Sequence, residues 1–266
     1  MDTLKVRDFS MALERQGSGS PSLVFVHGFP LDHSMWKYQL EEFSTNHEVI
    51  APDLHGFGKS SRAFSKLTME DMADDLAAML EAAELNEKIV LVALSMGGYV
   101  ALEFARKYLD KLQGLILCDT RAGADTAEAA KGRHEMAERV EKEGVLPLVE
   151  AMFPKLIEQQ WKKNNPSDAE HLWHIMMGSH PETVAAALRG MAERSDHTAT
   201  LAEIDVPTLV IVGEHDVITP PSESDAMAKA LPNAKLVKVA GAGHMAPLEK
   251  PAEVNAAIRE FVNKLG

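Results

Sequence analysis

The sequence predicts an α/β protein, a mostly parallel sheet of about eight strands flanked by helices, with a helical lid inserted after the sixth strand. Three observations carry this. Short apolar runs alternate with amphipathic segments, and most of those runs are apolar on successive residues. The alternation then lapses between about residues 121 and 200 before it resumes. A run that is apolar at every position suits a strand covered on both faces, as in a parallel sheet between helical layers.

Taken in order, residues 4–14 alternate polar and apolar side chains and read as antiparallel strands at one edge. The runs 23–26 (LVFV), 48–51 (EVIA), 89–94 (IVLVAL) and 115–118 (LILC) follow as strands, and 208–212 (TLVIV) and 235–239 (KLVKV) complete the set. Helical patterns occupy 69–83, 97–108, 222–231 and 252–265. In the first of these, Met72, Leu76, Met79, Leu80 and Ala83 recur at three- and four-residue intervals, which places them on one helix face. Strand, helix, strand in repetition implies right-handed crossovers between parallel strands.

From residue 121 to residue 200 no buried strand is legible. The stretch is helical and charged at 128–143, continues through VLPLVEAMFPKLI (145–157), and then carries Trp161, Trp173, Met176 and Met177. It reads as a lid, with 1–120 and 201–266 forming the core domain. The large apolar side chains of the lid either line an acyl pocket or pack the lid onto the core; Trp161, Trp173 and Met177 are the candidate substrate contacts. His171 and His174, with Glu170 beside them, lack a third convincing ligand or a known metal-binding frame and read as a helix face.

Composition bounds the partners. With 27 basic and 40 acidic residues the net charge is −13, a surface that repels phosphate backbones and anionic lipid, so neither nucleic acid nor membrane is an expected partner. The N-terminus shows no signal-peptide pattern, and no run has the length of a membrane span, which points to a cytoplasmic protein. Cys118 is the single cysteine, so no intramolecular disulfide can form; at the end of an apolar run it reads as a core residue. No signal bears on oligomeric state.

The chemistry concentrates in four short segments. In VLVALSMGGYVALEFA (90–105) a buried strand runs into Ser95 and a helix follows at once. A reactive serine oxygen must project past the sheet while the backbone turns sharply, which leaves room only for small neighbours, here Ala93, Gly97 and Gly98. Helix N-capping is the other role open to such a serine. The first buried strand ends in VHGFP (26–30), and the second in APDLHGFGKS (51–60). Near the C-terminus, AGAGHMAPLEKP sets His244 in a glycine-rich loop after the last strand. A serine hydroxyl needs such a base at neutral pH, held in one tautomer by a carboxylate.

These segments resemble the α/β-hydrolase superfamily, in its serine-nucleophile, carboxylesterase-like branch. Residues 93–97 resemble the G-x-S-x-G nucleophile elbow, with Ala93 in place of the first glycine. His27–Pro30 resembles the H-G-x-P oxyanion loop, and 53–60 matches D-x-x-G-x-G-x-S. The resemblance implies Ser95 as nucleophile, His244 as base, and the backbone N–H groups of Phe29 and Met96 as oxyanion donors. It places the acid at Asp216, in GEHDVITPP, or at Asp119, in LILCDT, the former being the commoner position. His27, Asp53 and His55 are expected to order loops. Serine at the elbow argues against dehalogenase and epoxide hydrolase relatives, which use aspartate there. The implied activity is hydrolysis of small or medium carboxylic esters through an acyl-enzyme, with no metal or organic cofactor. Lactone hydrolysis, peracid formation and carbon–carbon cleavage use the same parts, and a ligand-binding or signalling protein could keep the fold.

Overall fold

The computed structural model describes residues 1–62 and 67–265. Eight strands form one sheet: β1 (Asp2–Val6), β2 (Phe9–Gln16), β3 (Leu23–Val26), β4 (Val49–Pro52), β5 (Ile89–Leu94), β6 (Leu112–Cys118), β7 (Thr208–Gly213) and β8 (Ala234–Val239). Their spatial order is β1-β2-β4-β3-β5-β6-β7-β8. The pairings of β1 with β2 and of β2 with β4 are antiparallel, and all later ones are parallel. The polar–apolar alternation of the first residues thus marks the antiparallel edge, and the unbroken apolar runs mark the covered centre.

Strands β3, β4, β5 and β7 are buried at every residue. β8 is half exposed and carries Lys235 and Lys238, which pair with Glu260 and Asp225 at 2.8 Å each. Charge on an outer strand discourages pairing with another sheet.

Helices cover both faces: α1 (Lys37–Phe43), α2 (Met69–Ala82), α3 (Met96–Tyr108), α4 (Ala127–Glu143), α5 (Leu146–Leu156), α6 (Gln159–Asn164), α7 (Pro166–Gly178), α8 (Pro181–Ala192), α9 (Pro221–Ala230), α10 (Ala246–Glu249) and α11 (Pro251–Val262). Among the described residues α4 to α8 fill the interval between β6 and β7, where the strand pattern lapses in the sequence. The short α1 and α10 were not legible, since a helix of one or two turns shows too little periodicity. Local signals set the long boundaries: Thr126 caps α4 by accepting from the Ala129 N–H at 3.2 Å, and Gly144 ends it with φ of 81°.

Register places the site. Val26 lies beside Ala93, Leu94 beside Cys118, Cys118 beside Ile211, and Gly213 beside Val239. The carboxyl ends of β3, β5, β6, β7 and β8 therefore finish at nearly one level, and their loops converge on one edge, where open α/β sheets bind ligands. The insertion reaches back to the core through α8, whose Gly190 faces the Leu67 carbonyl so closely that a Cβ would lie 1.7 Å from that oxygen. Gly190→Ala is expected to lower stability by about 2 kcal/mol through forced displacement of packed backbone. Urea denaturation measures it, and an unaltered midpoint would contradict this packing.

Candidate active site

Ser95 sits between the last residue of β5 and the first of α3, with φ of 54° and ψ of −113°. A non-glycine residue adopts this backbone only where its surroundings hold it. They do so here from both sides. The Ser95 N–H donates to the Cys118 carbonyl at 3.0 Å, and the Ser95 carbonyl accepts from Thr120 Oγ1 at 2.8 Å and the Gly98 N–H at 2.9 Å. The small neighbours are sterically required. A Cβ on Gly97 would lie 2.6 Å from the Val26 carbonyl oxygen, and one on Gly98 would lie 2.4 Å from Thr120 Oγ1. Ala93 is fully buried within β5.

His244 Nε2 lies 2.8 Å from Ser95 Oγ, and its Nδ1 lies 2.8 Å from Asp216 Oδ2. All three residues are buried. Asp216 is held in turn by the Ile218 and Thr219 N–H groups on Oδ1, at 2.8 and 3.0 Å, and by the Thr219 hydroxyl on Oδ2 at 2.6 Å. Burial alone would push this carboxyl up, but His244 and the Thr219 hydrogen bonds outweigh it and hold Asp216 below the usual carboxylate range. An ionised Asp216 fixes the Nδ1–H tautomer of His244, which leaves Nε2 free to accept the Ser95 proton.

Asp119, the other candidate acid, makes no contact of this kind. It accepts from the Gly213 N–H at 2.7 Å and the Ala246 N–H at 3.3 Å, so it braces β7 against the turn after His244. Burial, with Asp216 nearby, pushes its carboxyl well above the usual range. Asp216→Asn is expected to lower kcat by roughly 10³–10⁴-fold through loss of the correct tautomer. Asp119→Asn should keep most of the rate and lose stability instead. The reverse pattern in purified, folded variants would reassign the acid.

The loop after β3 lies against the serine, since a Cβ on Gly28 would come 3.4 Å from Ser95 Cβ. Met96 opens α3, so its N–H has no intrahelical acceptor. Phe29 follows Gly28, and among the described residues no acceptor is present for its N–H. His27 ties loops together: Nδ1–H donates to the Gly28 carbonyl at 2.8 Å and Nε2 accepts from the Leu54 N–H at 3.0 Å, while burial lowers its pKa. Asp53 accepts from the His33 and Lys59 N–H groups, at 2.9 and 2.8 Å, and binds the His33 ring at 2.7 Å. His55 stacks on Phe9 with ring centroids 3.9 Å apart.

A cavity of about 320 Å³ opens over Ser95. Phe29 and Tyr99 line it from the core, Arg133, Leu148, Met152, Lys155, Leu188 and Met191 from α4, α5 and α8, and Val217 and Ile218 from the loop after β7. This corrects one expectation. Trp161, Trp173 and Met177 do not line the cavity, because they lie on α6 and α7, which stand off its walls. Trp161 lines a separate cleft with Glu158 and His215, and Trp173 packs edge-to-face on Phe153 at 5.1 Å. The wall residues Leu148 and Met152 carried no signal beyond the ordinary apolar face of a helix.

Residues 21–251 match the family model for the alpha/beta hydrolase fold. The chain belongs to that family. A thermophilic esterase from Thermogutta terrifontis, solved with malate bound, is 46% identical with a TM-score of 0.96, over 99% of this chain and 98% of that one. The AB hydrolase superfamily protein YisY of Bacillus subtilis is 29% identical over 260 residues, 96% of each chain. The 3-oxoadipate enol-lactonase 2 of Acinetobacter baylyi is 24% identical over 264 residues, 99% of this chain and 97% of that protein. The elbow, the His-Gly loop and the His244 loop thus led to the right family.

In this hydrolase fold one buried acid escaped notice in the sequence. Glu249 Oε1 accepts from the Gly243 and Met245 N–H groups, on either side of His244, at 3.0 and 3.2 Å. Its Oε2 accepts from the Glu158 N–H in the insertion at 2.8 Å. Burial outweighs these donors and pushes the Glu249 carboxyl up to about 7. An acid whose pKa is higher folded than unfolded binds more protons when folded, so its effect on stability turns unfavourable as pH rises from about 4.5 to about 7. Relative to Glu249→Gln, the wild type is expected to lose about 3 kcal/mol between about pH 5 and about pH 8. Urea unfolding of both at the two pH values reads the difference, and parallel profiles would refute it.

Proposed function

We propose that the protein is a serine hydrolase that cleaves small or medium carboxylic esters through an acyl-enzyme on Ser95. The observation that carries this reading is the hydrogen-bonded chain from Ser95 through His244 to Asp216, at 2.8 Å and 2.8 Å, beneath a cavity of about 320 Å³. Such a volume suits a small-molecule substrate.

The steps follow from the geometry. Ser95 Oγ attacks the ester carbonyl while His244 Nε2 takes its proton, and the buried Asp216 carboxylate stabilises the imidazolium that results. The negative charge moves onto the former carbonyl oxygen, where the Phe29 and Met96 N–H groups can receive it. The tetrahedral intermediate collapses, its C–O bond to the alcohol breaks, and His244 returns the proton to the departing oxygen. A water molecule, deprotonated by His244, then attacks the acyl carbon and releases the carboxylic acid and Ser95. The esterase relative supports this reading.

The enol-lactonase among the relatives favours a second substrate type for the same steps. In a lactone the departing alcohol stays tethered to the acyl group, so ring opening yields one hydroxy acid. Wild type and Ser95→Ala, run on a panel of short-chain aryl esters and lactones, test both. Ser95→Ala is expected to lower kcat by about 10⁶-fold, to the level left by binding and oxyanion stabilisation alone. A fluorophosphonate probe should label the wild type and not the variant. Equal hydrolysis by a folded Ser95→Ala protein would overturn the proposal.

A further inference from the structure

We propose that the preferred substrate carries a carboxylate at the end remote from the scissile carbonyl, held by Arg133 and Lys155 in the cavity over Ser95. This rests on the esterase reading and narrows it. Of the side chains lining that cavity, Arg133 and Lys155 are charged, and among the described residues none of the lining is acidic. In a chain of net charge −13, a reaction cavity with cations alone departs from the balance of the whole.

The pairing behind the wall leaves positive charge uncompensated. The Asp125 side chain, 4% exposed, serves two guanidiniums at once, Arg133 Nε at 2.5 Å and Arg194 Nη1 at 2.7 Å. One negative charge thus faces two positive ones. Arg194 is engaged elsewhere as well: Nη1 donates to the Met191 carbonyl at 3.0 Å, Nη2 donates to the Gly123 carbonyl at 2.8 Å, and the guanidinium lies 4.2 Å from the Tyr99 ring centroid, while its buried Nε has no acceptor among the described residues. Arg133 gives Nη1 only to the Met191 sulfur, at 3.6 Å, and its Nη2 has no acceptor among the described residues. A guanidinium presents its N–H groups as a planar fork that matches a carboxylate. Lys155, on the opposite helix α5, makes no ion pair among the described residues and adds a second cation to the same space. The same cavity is lined by apolar side chains, Leu148, Leu188, Met191 and Ile218 among them, which suit a short methylene chain.

The substrate class is therefore a monoester of a short dicarboxylic acid, or a lactone bearing a free carboxylate. The test compares mono-4-nitrophenyl adipate with 4-nitrophenyl methyl adipate, which differ in charge at the far end and release the same phenolate. The wild type is expected to show a higher kcat/KM for the anionic ester, by about tenfold, the worth of one charge-assisted contact. Arg133→Gln and Lys155→Gln should each reduce that anionic-to-neutral ratio at least threefold or so, and high salt should compress it. Arg133→Gln leaves Asp125 paired with Arg194, so no buried charge is orphaned. Should it nonetheless fail to fold, the exposed Lys155 decides alone. A wild-type ratio at or below one, or a ratio unaltered in the folded variants, overturns the inference. If the neutral ester is turned over and Ser95 labels with a fluorophosphonate, the esterase reading survives that outcome; if neither ester is cleaved and no labelling occurs, both fall.

Discussion

Level pairing of the parallel strands is the constraint on which the rest depends. Because β3, β5, β6, β7 and β8 end side by side, loops distant in sequence meet at one edge. Ser95 and His244 come within 2.8 Å across an interval of 149 residues, and the sheet alone spans that interval. Slippage of one residue in β5 would turn its side chains to the opposite face and take the serine with them. The serine's left-handed backbone is sustained by the same pairing, since the strand beside it supplies the carbonyl that its N–H needs.

Two aspartates show how environment divides labour. Asp119 and Asp216 follow adjacent strands, and both are buried. Asp119 lies directly after β6, and its carboxyl stays among backbone N–H groups. Asp216 lies three residues beyond β7, far enough for the chain to turn and carry the carboxyl to the imidazole. One acid serves as a brace among backbone N–H groups, and the other is held below the usual carboxylate range beside a histidine.

This also explains what could be read in advance. The buried strands were legible because unbroken apolar runs have one simple structural meaning, and Ser95 and His244 because small residues surround them for steric reasons. The choice between Asp119 and Asp216 was not, since both occupy strand ends and only the path of the following loop separates them. The walls of the cavity were hidden for another reason. Periodicity reveals which face of a helix is apolar but not which neighbour it meets, so the sequence offers Trp173 as a substrate contact although it packs on Phe153. Glu249 was hidden because a lone glutamate in a short turn has no pattern at all.

The bond from the Glu158 N–H to Glu249 has a mechanical consequence. Glu158 is also fixed through its own carboxylate, which meets His215 Nδ1 at 2.6 Å. The midpoint of the insertion is thereby pinned to both loops that carry the histidine and its acid. Other bonds hold the insertion to the core on its far side, from Asp168 to Lys37 and Tyr38 and from Ser179 to the Pro30 carbonyl. The attachment at Glu158 reaches the loops that bear Asp216 and His244, so the insertion that walls the cavity also helps to keep acid and base in line.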